Sequence, residues 1–130
     1  MSQTSSSDEH FKLAVGISIE ALKALLLVNA GAATALIALI DKGPKPSPYS
    51  SAIIWFGAGA FATVVAFVFG YFSQLSYANH KFQLEKDNSK LAKNAHCLHQ
   101  LYQGIAILFV CLSIGFGLCA MVQAMLAANI

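Results

Sequence analysis

An all-α integral membrane fold, with three spanning helices per protomer, is what three observations on this sequence predict. Of the 130 residues, 57% are apolar and 11% charged, well away from the balance of water-soluble domains. The apolar residues gather into three runs, 24–40, 52–72 and 104–122, each within the about 17–25 residues that a helix needs to cross hydrocarbon. Between the runs lie segments with turn chemistry, Asp41-Lys42-Gly43-Pro44 and Asp87-Asn88-Ser89. With their entry turns the spans are expected at 20–40, 52–74 and 102–126 of one domain, 9–130, preceded by a disordered tail, 1–8.

The tail is polar, serine-rich and without periodicity. Asp8 and Glu9 then suit the positive end of a helix dipole. From Phe11 the pattern is amphipathic: Lys12, Gly16, Glu20, Lys23, Leu27 and Thr34 follow steps of three, four or seven and share a stripe. Asn29 places a polar amide at mid-depth of the run. The run has no basic cluster at its head and no small-x-small cleavage site, so it is expected to be kept and not removed as a signal peptide.

The segment that follows contains Gly43, Pro44, Pro46 and Pro48, a short stiff loop, and Ser50 or Ser51 can cap the second helix. That helix carries Ala58, Ala62, Ala66 and Gly70 at four-residue spacing. Such a ridge lets a second backbone approach closely in lipid, and it is expected to pack a homo-oligomeric bundle. Trp55 at one end, with Tyr71 and Tyr77 at the other, suits the two membrane interfaces. No breaker interrupts 73–85, and Tyr77, Leu84, Leu91 and Leu98 recur every seven residues, so a helical hairpin is expected to extend beyond the membrane between the second and third spans. The third span shows another small ridge, Cys111, Gly115 and Cys119, with Gly104 and Gly117 nearby. With Cys97 these cysteines form no CxxC pair and read as small packing residues.

Charge fixes the expected orientation. There are no arginines. Lys81, Lys86, Lys90 and Lys93 lie between the second and third spans, Lys12 and Lys23 precede the first run, and the other loop holds only Lys42 and Lys45. The positive-inside rule then puts the N-terminus and the hairpin in the cytoplasm and the C-terminus outside.

Motifs for catalysis are missing: no Walker loop, HExxH, GxSxG or dinucleotide fingerprint occurs, so neither an enzyme nor a cofactor is expected. His96-Cys97-x-His99, with His80, lacks the set spacing of a zinc site, and interfacial histidines are the plainer reading; no metal is expected. Glu20 and Lys23 can pair with each other. Alternatively Glu20, Lys23, Leu27, Asn29 and Thr34 line a water-filled path in an oligomer, where a ring of lysines concentrates anions and Leu27 dewets the closed pore; the third span, with Ser113 and Gln123, competes with the first for that lining. Asn29 has its own competing account, an inter-helix hydrogen bond that fixes register. Lys12, Lys23, Lys81, Lys86, Lys90 and Lys93 can seat a polyanion, with Tyr77, Phe82 and Tyr102 stacking bases. The plainer account of the hairpin lysines is attraction to anionic headgroups.

In layout, and in the run Leu25-Leu26-Leu27-Val28-Asn29-Ala30-Gly31-Ala32-Ala33, the chain resembles the small membrane effectors of bacterial anti-phage operons, most nearly the membrane subunits of the Hailong system. The resemblance implies a homo-tetrameric ion channel of the inner membrane, its C-terminus periplasmic. A partner nucleotidyltransferase would make the oligodeoxyadenylate that keeps it closed, and loss of that ligand would depolarise the cell during infection. Two alternatives stand beside it. One is a phage holin-like pore former, against which the uncharged ending Ala127-Ala128-Asn129-Ile130 counts. The other is a non-conducting scaffold that recruits a cytoplasmic partner through the basic hairpin.

Overall fold

The computed structural model describes residues 3–38, 40 and 49–128. The proline loop 41–48 and the side chains of Asp8 and Glu9 lie outside the described residues. Three helices follow in order, α1 (Gln3–Ala38), α2 (Ser50–Glu85) and α3 (Ser89–Ala128). Each is long and apolar enough to cross a membrane, which supports a multi-pass membrane protein.

Helix α1 begins at Gln3, inside the segment expected to be a disordered tail. Residues 3–8 contain no Pro or Gly, and once a helix is nucleated, further turns add at little cost. The serine-rich stretch is therefore carried as an extension of α1.

Helices α2 and α3 form an antiparallel hairpin about Asp87. The Asp87 N–H donates to the Leu84 carbonyl at 3.1 Å and the Asn88 N–H to the Gln83 carbonyl at 3.0 Å, the paired bonds of a Schellman ending. Asp87 closes it with φ 56°, a left-handed conformation that glycine adopts at less cost. Asn88 then caps α3, its side-chain oxygen accepting from the Leu91 N–H at 3.4 Å.

The hairpin packs along a seam of mostly small residues. On α2 the buried positions Ala52, Phe56, Gly59, Thr63, Ala66 and Ser73 follow alternating steps of three and four, with half-buried Gly70 filling the gap. Ala92, Ala95, Ser113 and Ala120 are their buried counterparts on α3. A mean step of 3.5 is the one at which two helices keep a single seam in contact. Aromatic pairs flank it: Trp55 with Phe116 at 5.5 Å between centroids, and Phe69 with Phe109 at 6.3 Å.

Three packing expectations change. Ala62 and Ala66 are buried inside the protomer, so those members of the four-residue ridge serve the fold itself; Ala58 and Gly70 are only half-buried. Leu84, Leu91 and Leu98 are exposed, because a seven-residue repeat read through a chain reversal does not stay on one seam. On α3 the seam follows Ser113 and Ala120, which leaves Cys111 and Cys119 exposed. Helix α1 lies mainly against α2 and meets α3 only sparsely.

Candidate functional site: a polar knot joining three helices

Where α1 touches both other helices, one side chain makes the junction. Asn29 is 1% exposed, and its Nδ2 donates to Ser113 Oγ at 2.9 Å. Ser113 Oγ also lies 2.8 Å from Thr63 Oγ1 and 2.8 Å from the Gly59 carbonyl oxygen. Thr63 donates back to that same carbonyl at 3.0 Å. Four groups from three helices thus share hydrogen bonds in the buried interior of the protomer, and every buried side-chain polar atom among the described residues has a partner.

Two glycines make room for the amide. A Cβ added at Gly59 would stand 2.9 Å from Asn29 Cγ and 3.0 Å from both Nδ2 and Oδ1, and one at Gly117 would stand 2.8 Å from Oδ1. Real Cβ atoms do not approach this closely, so absence of a side chain on both helices is a requirement of the knot. Gly57, Gly70 and Gly104, by contrast, have open space where a Cβ would go.

The residues expected to line a path divide into two groups. Asn29 leaves the stripe, because it points between α2 and α3 and takes the inter-helix hydrogen bond. At about 100° per residue it sits roughly 120° around the helix from Lys23. Glu20, Lys23, Leu27 and Thr34 stay on the outer face of α1, all exposed. Lys23 Nζ pairs with Glu20 Oε1 at 2.7 Å, with the two side chains 57% and 71% exposed. Thr34 Oγ1 donates to the Ala30 carbonyl at 2.9 Å, a bond internal to the helix.

The lysines expected to hold an anion are not gathered into one site. Lys12, Lys81, Lys86, Lys90 and Lys93 are all exposed. Lys86 Nζ sits 4.3 Å above the Phe82 ring, and Lys81 Nζ sits 5.4 Å above Tyr77, so two of the rings that could stack bases are partly covered by cations of their own helix. Tyr102 packs against Phe69 and Phe72.

The histidines form a second inter-helix contact nearer the turn. His80 Nδ1 lies 2.7 Å from the Ala92 carbonyl, and His99 Nδ1 lies 2.9 Å from that of Ser73. A carbonyl only accepts, so Nδ1 is the donor in both bonds; His99 Nδ1 also lies 2.8 Å from Ser73 Oγ. Ser73 returns a bond to the His99 carbonyl at 3.3 Å. The His96 ring lies 5.0 Å from that of His80, tilted by 41°, yet no group of three metal ligands forms among the described residues.

Sequence reasoning did not single out Gly59, Thr63 or Ser73, and it placed Gly117 only near the small ridge of the third span. One signal was available: Gly59 and Thr63, like Ser113 and Gly117, are one helical turn apart, and Thr63 and Ser113 lie at nearly equal distances from Asp87. A hairpin turning there must bring the two pairs level. No family model, curated protein or solved structure matches the chain, so its reading rests on these residues.

Proposed function

We propose that the chain assembles as a homo-oligomeric ion channel of the bacterial inner membrane, an effector that depolarises the membrane during phage infection under control of an anionic nucleotide or oligonucleotide. The observation that supports this reading is the outward-facing position of Lys23 and Glu20, whose pairing with each other is the plainer account of them. They lie within a candidate span, Val15–Ala38, on the face of α1 turned away from the protomer's own helices. Lys23 is about 12 Å along that span from Val15. An ionised group facing lipid costs up to about 2.5–3.5 kcal/mol at the centre of a span and less toward its ends, so such groups face protein, water or, near an end, the headgroups. In a symmetric assembly, the tetramer that the resemblance implies, the face with Glu20, Lys23, Leu27 and Thr34 turns to a central path. A lysine ring there favours anions. The N-terminus and the turn of the hairpin are cytoplasmic in this reading, and the C-terminus is periplasmic. The hairpin lysines then lie on the side where a partner nucleotidyltransferase would supply the ligand.

The test is conductance of the purified protein in planar bilayers, with and without short single-stranded oligodeoxyadenylates. Current suppressed by the oligomers supports the reading. Current indifferent to them favours the holin-like alternative, and no current under any condition favours the scaffold.

A further inference from the structure

Between α1 and the hairpin, on the turn side of Asn29, the protomer is open. Two adjoining cavities of about 470 and 670 Å³ share Ser18, Leu22, Gly70, Gln74 and Gln103, so they form one continuous cleft of a size that holds small molecules. Its lining changes character along the helix axes. Toward Asn29 it is hydrocarbon, with Leu25 and Val28 from α1 facing Ile107, Val110 and Ile114 from α3. Toward the turn the lining is mixed, with Ser18, Gln74, Gln103 and His99 set among Val15, Ile19, Phe67 and Tyr71. This end is level with Tyr71, Phe72 and Tyr102, which contact one another in sequence, as aromatics do at the headgroup boundary. Among the described residues neither the Gln74 nor the Gln103 side-chain amide has a hydrogen-bond partner.

We propose that this cleft is a binding site for one membrane phospholipid. Its acyl chain lies between α1 and α3 against Leu25, Val28, Ile107 and Ile114, and its glycerol ester carbonyls accept hydrogen bonds from Gln74 and Gln103. The polarity gradient runs parallel to that of a lipid, from ester level to hydrocarbon. A spanning helix from a second copy has its backbone bonded internally and would meet the amides only where it carried a polar side chain at their level. The site is independent of whether the assembly conducts.

The full chain is reconstituted with phospholipid bearing a diazirine on its acyl chain, irradiated, and the labelled peptides mapped. Labelling is expected to concentrate in 22–28 and 107–114. Gly70 lines both cavities, and a Cβ there meets nothing within 4 Å, so Gly70→Phe fills the cleft where its halves join and abolishes that labelling. Gly57→Phe, equally open, leaves it unchanged. Gln74→Leu with Gln103→Leu, which removes two hydrogen bonds while keeping side-chain bulk, lowers it about tenfold. Even labelling over outward residues such as Phe61 and Met121, or undiminished labelling in Gly70→Phe, overturns the proposal. So does a crosslink from the cleft to a second copy. A diazirine fatty acid run in parallel separates the sources: labelling equal to that of phospholipid and indifferent to the glutamine pair would refute the ester contact. Should Gly70→Phe not fold, the glutamine pair decides alone.

Discussion

Replacing Gly59 with alanine places a methyl carbon 2.9 Å from Asn29 Cγ and 3.0 Å from both atoms of the amide head. The amide cannot turn aside freely. Its nitrogen is held by Ser113 at 2.9 Å, and its oxygen faces Gly117 across a gap too small for one carbon atom. Overpacking of this kind costs about 1–3 kcal/mol. Displacing Asn29 also loses an inter-helix hydrogen bond, worth about 0.6–1.7 kcal/mol in membrane proteins. Against this, alanine is favoured over glycine within a helix by about 1 kcal/mol. The balance is a net loss of about 1–3 kcal/mol. Unfolding in mixed micelles, followed by helicity, measures it. Gly57→Ala, where the new methyl meets nothing, is the reference and should be neutral or slightly stabilising. The sharper measurement is the double-mutant cycle with Asn29→Ala, which removes the atoms that the methyl would strike. Gly59→Ala should then cost at least about 1 kcal/mol less in the Asn29→Ala background than alone. If Gly59→Ala is as stable as Gly57→Ala, or the two changes simply add, the knot is not close-packed and the reasoning fails.

Ser113→Ala should destabilise by about 1–3 kcal/mol, because it leaves Asn29 Nδ2 buried without an acceptor; the same micelle titration measures it, and a neutral result would argue against the bond. Asp87→Gly relieves the positive φ at the hairpin turn and should stabilise by about 0.5–1 kcal/mol, read as a rise in thermal midpoint. Lys23→Glu turns the outer face of α1 acidic beside Glu20. Reversal potentials in a salt gradient should shift from anion toward cation preference, and unchanged potentials would remove Lys23 from the conducting path.

Much of the fold was legible because a membrane-spanning helix advertises itself by length and apolarity, and three such runs with breakers between them leave little choice. The turn at Asp87 was equally readable from Asp87-Asn88-Ser89. What the sequence did not separate is packing within a protomer from packing between protomers. Small residues serve both in lipid, so Ala62 and Ala66 carried the right chemistry for either. Asn29 was ambiguous for the same reason: an amide at mid-depth satisfies itself on water or on another helix, and only the coincidence of Gly59 and Gly117 at its level selects the second. The exposed face of Glu20, Lys23, Leu27 and Thr34 was visible as a stripe, since its spacing is a property of α1 alone.

The placement of Asn29 along α1 has a mechanical consequence. Were α1 to slide on α2 about that contact, it would move as a beam of unequal arms: about 39 Å of helix runs from Asn29 back to Gln3 and about 14 Å onward to Ala38. A tilt of about 5° about that point carries the Gln3 end some 3 Å sideways while the Ala38 end moves about 1 Å, a leverage of roughly three. Force applied at the long arm is therefore multiplied at the short one, and small displacements at the short arm are magnified at the long.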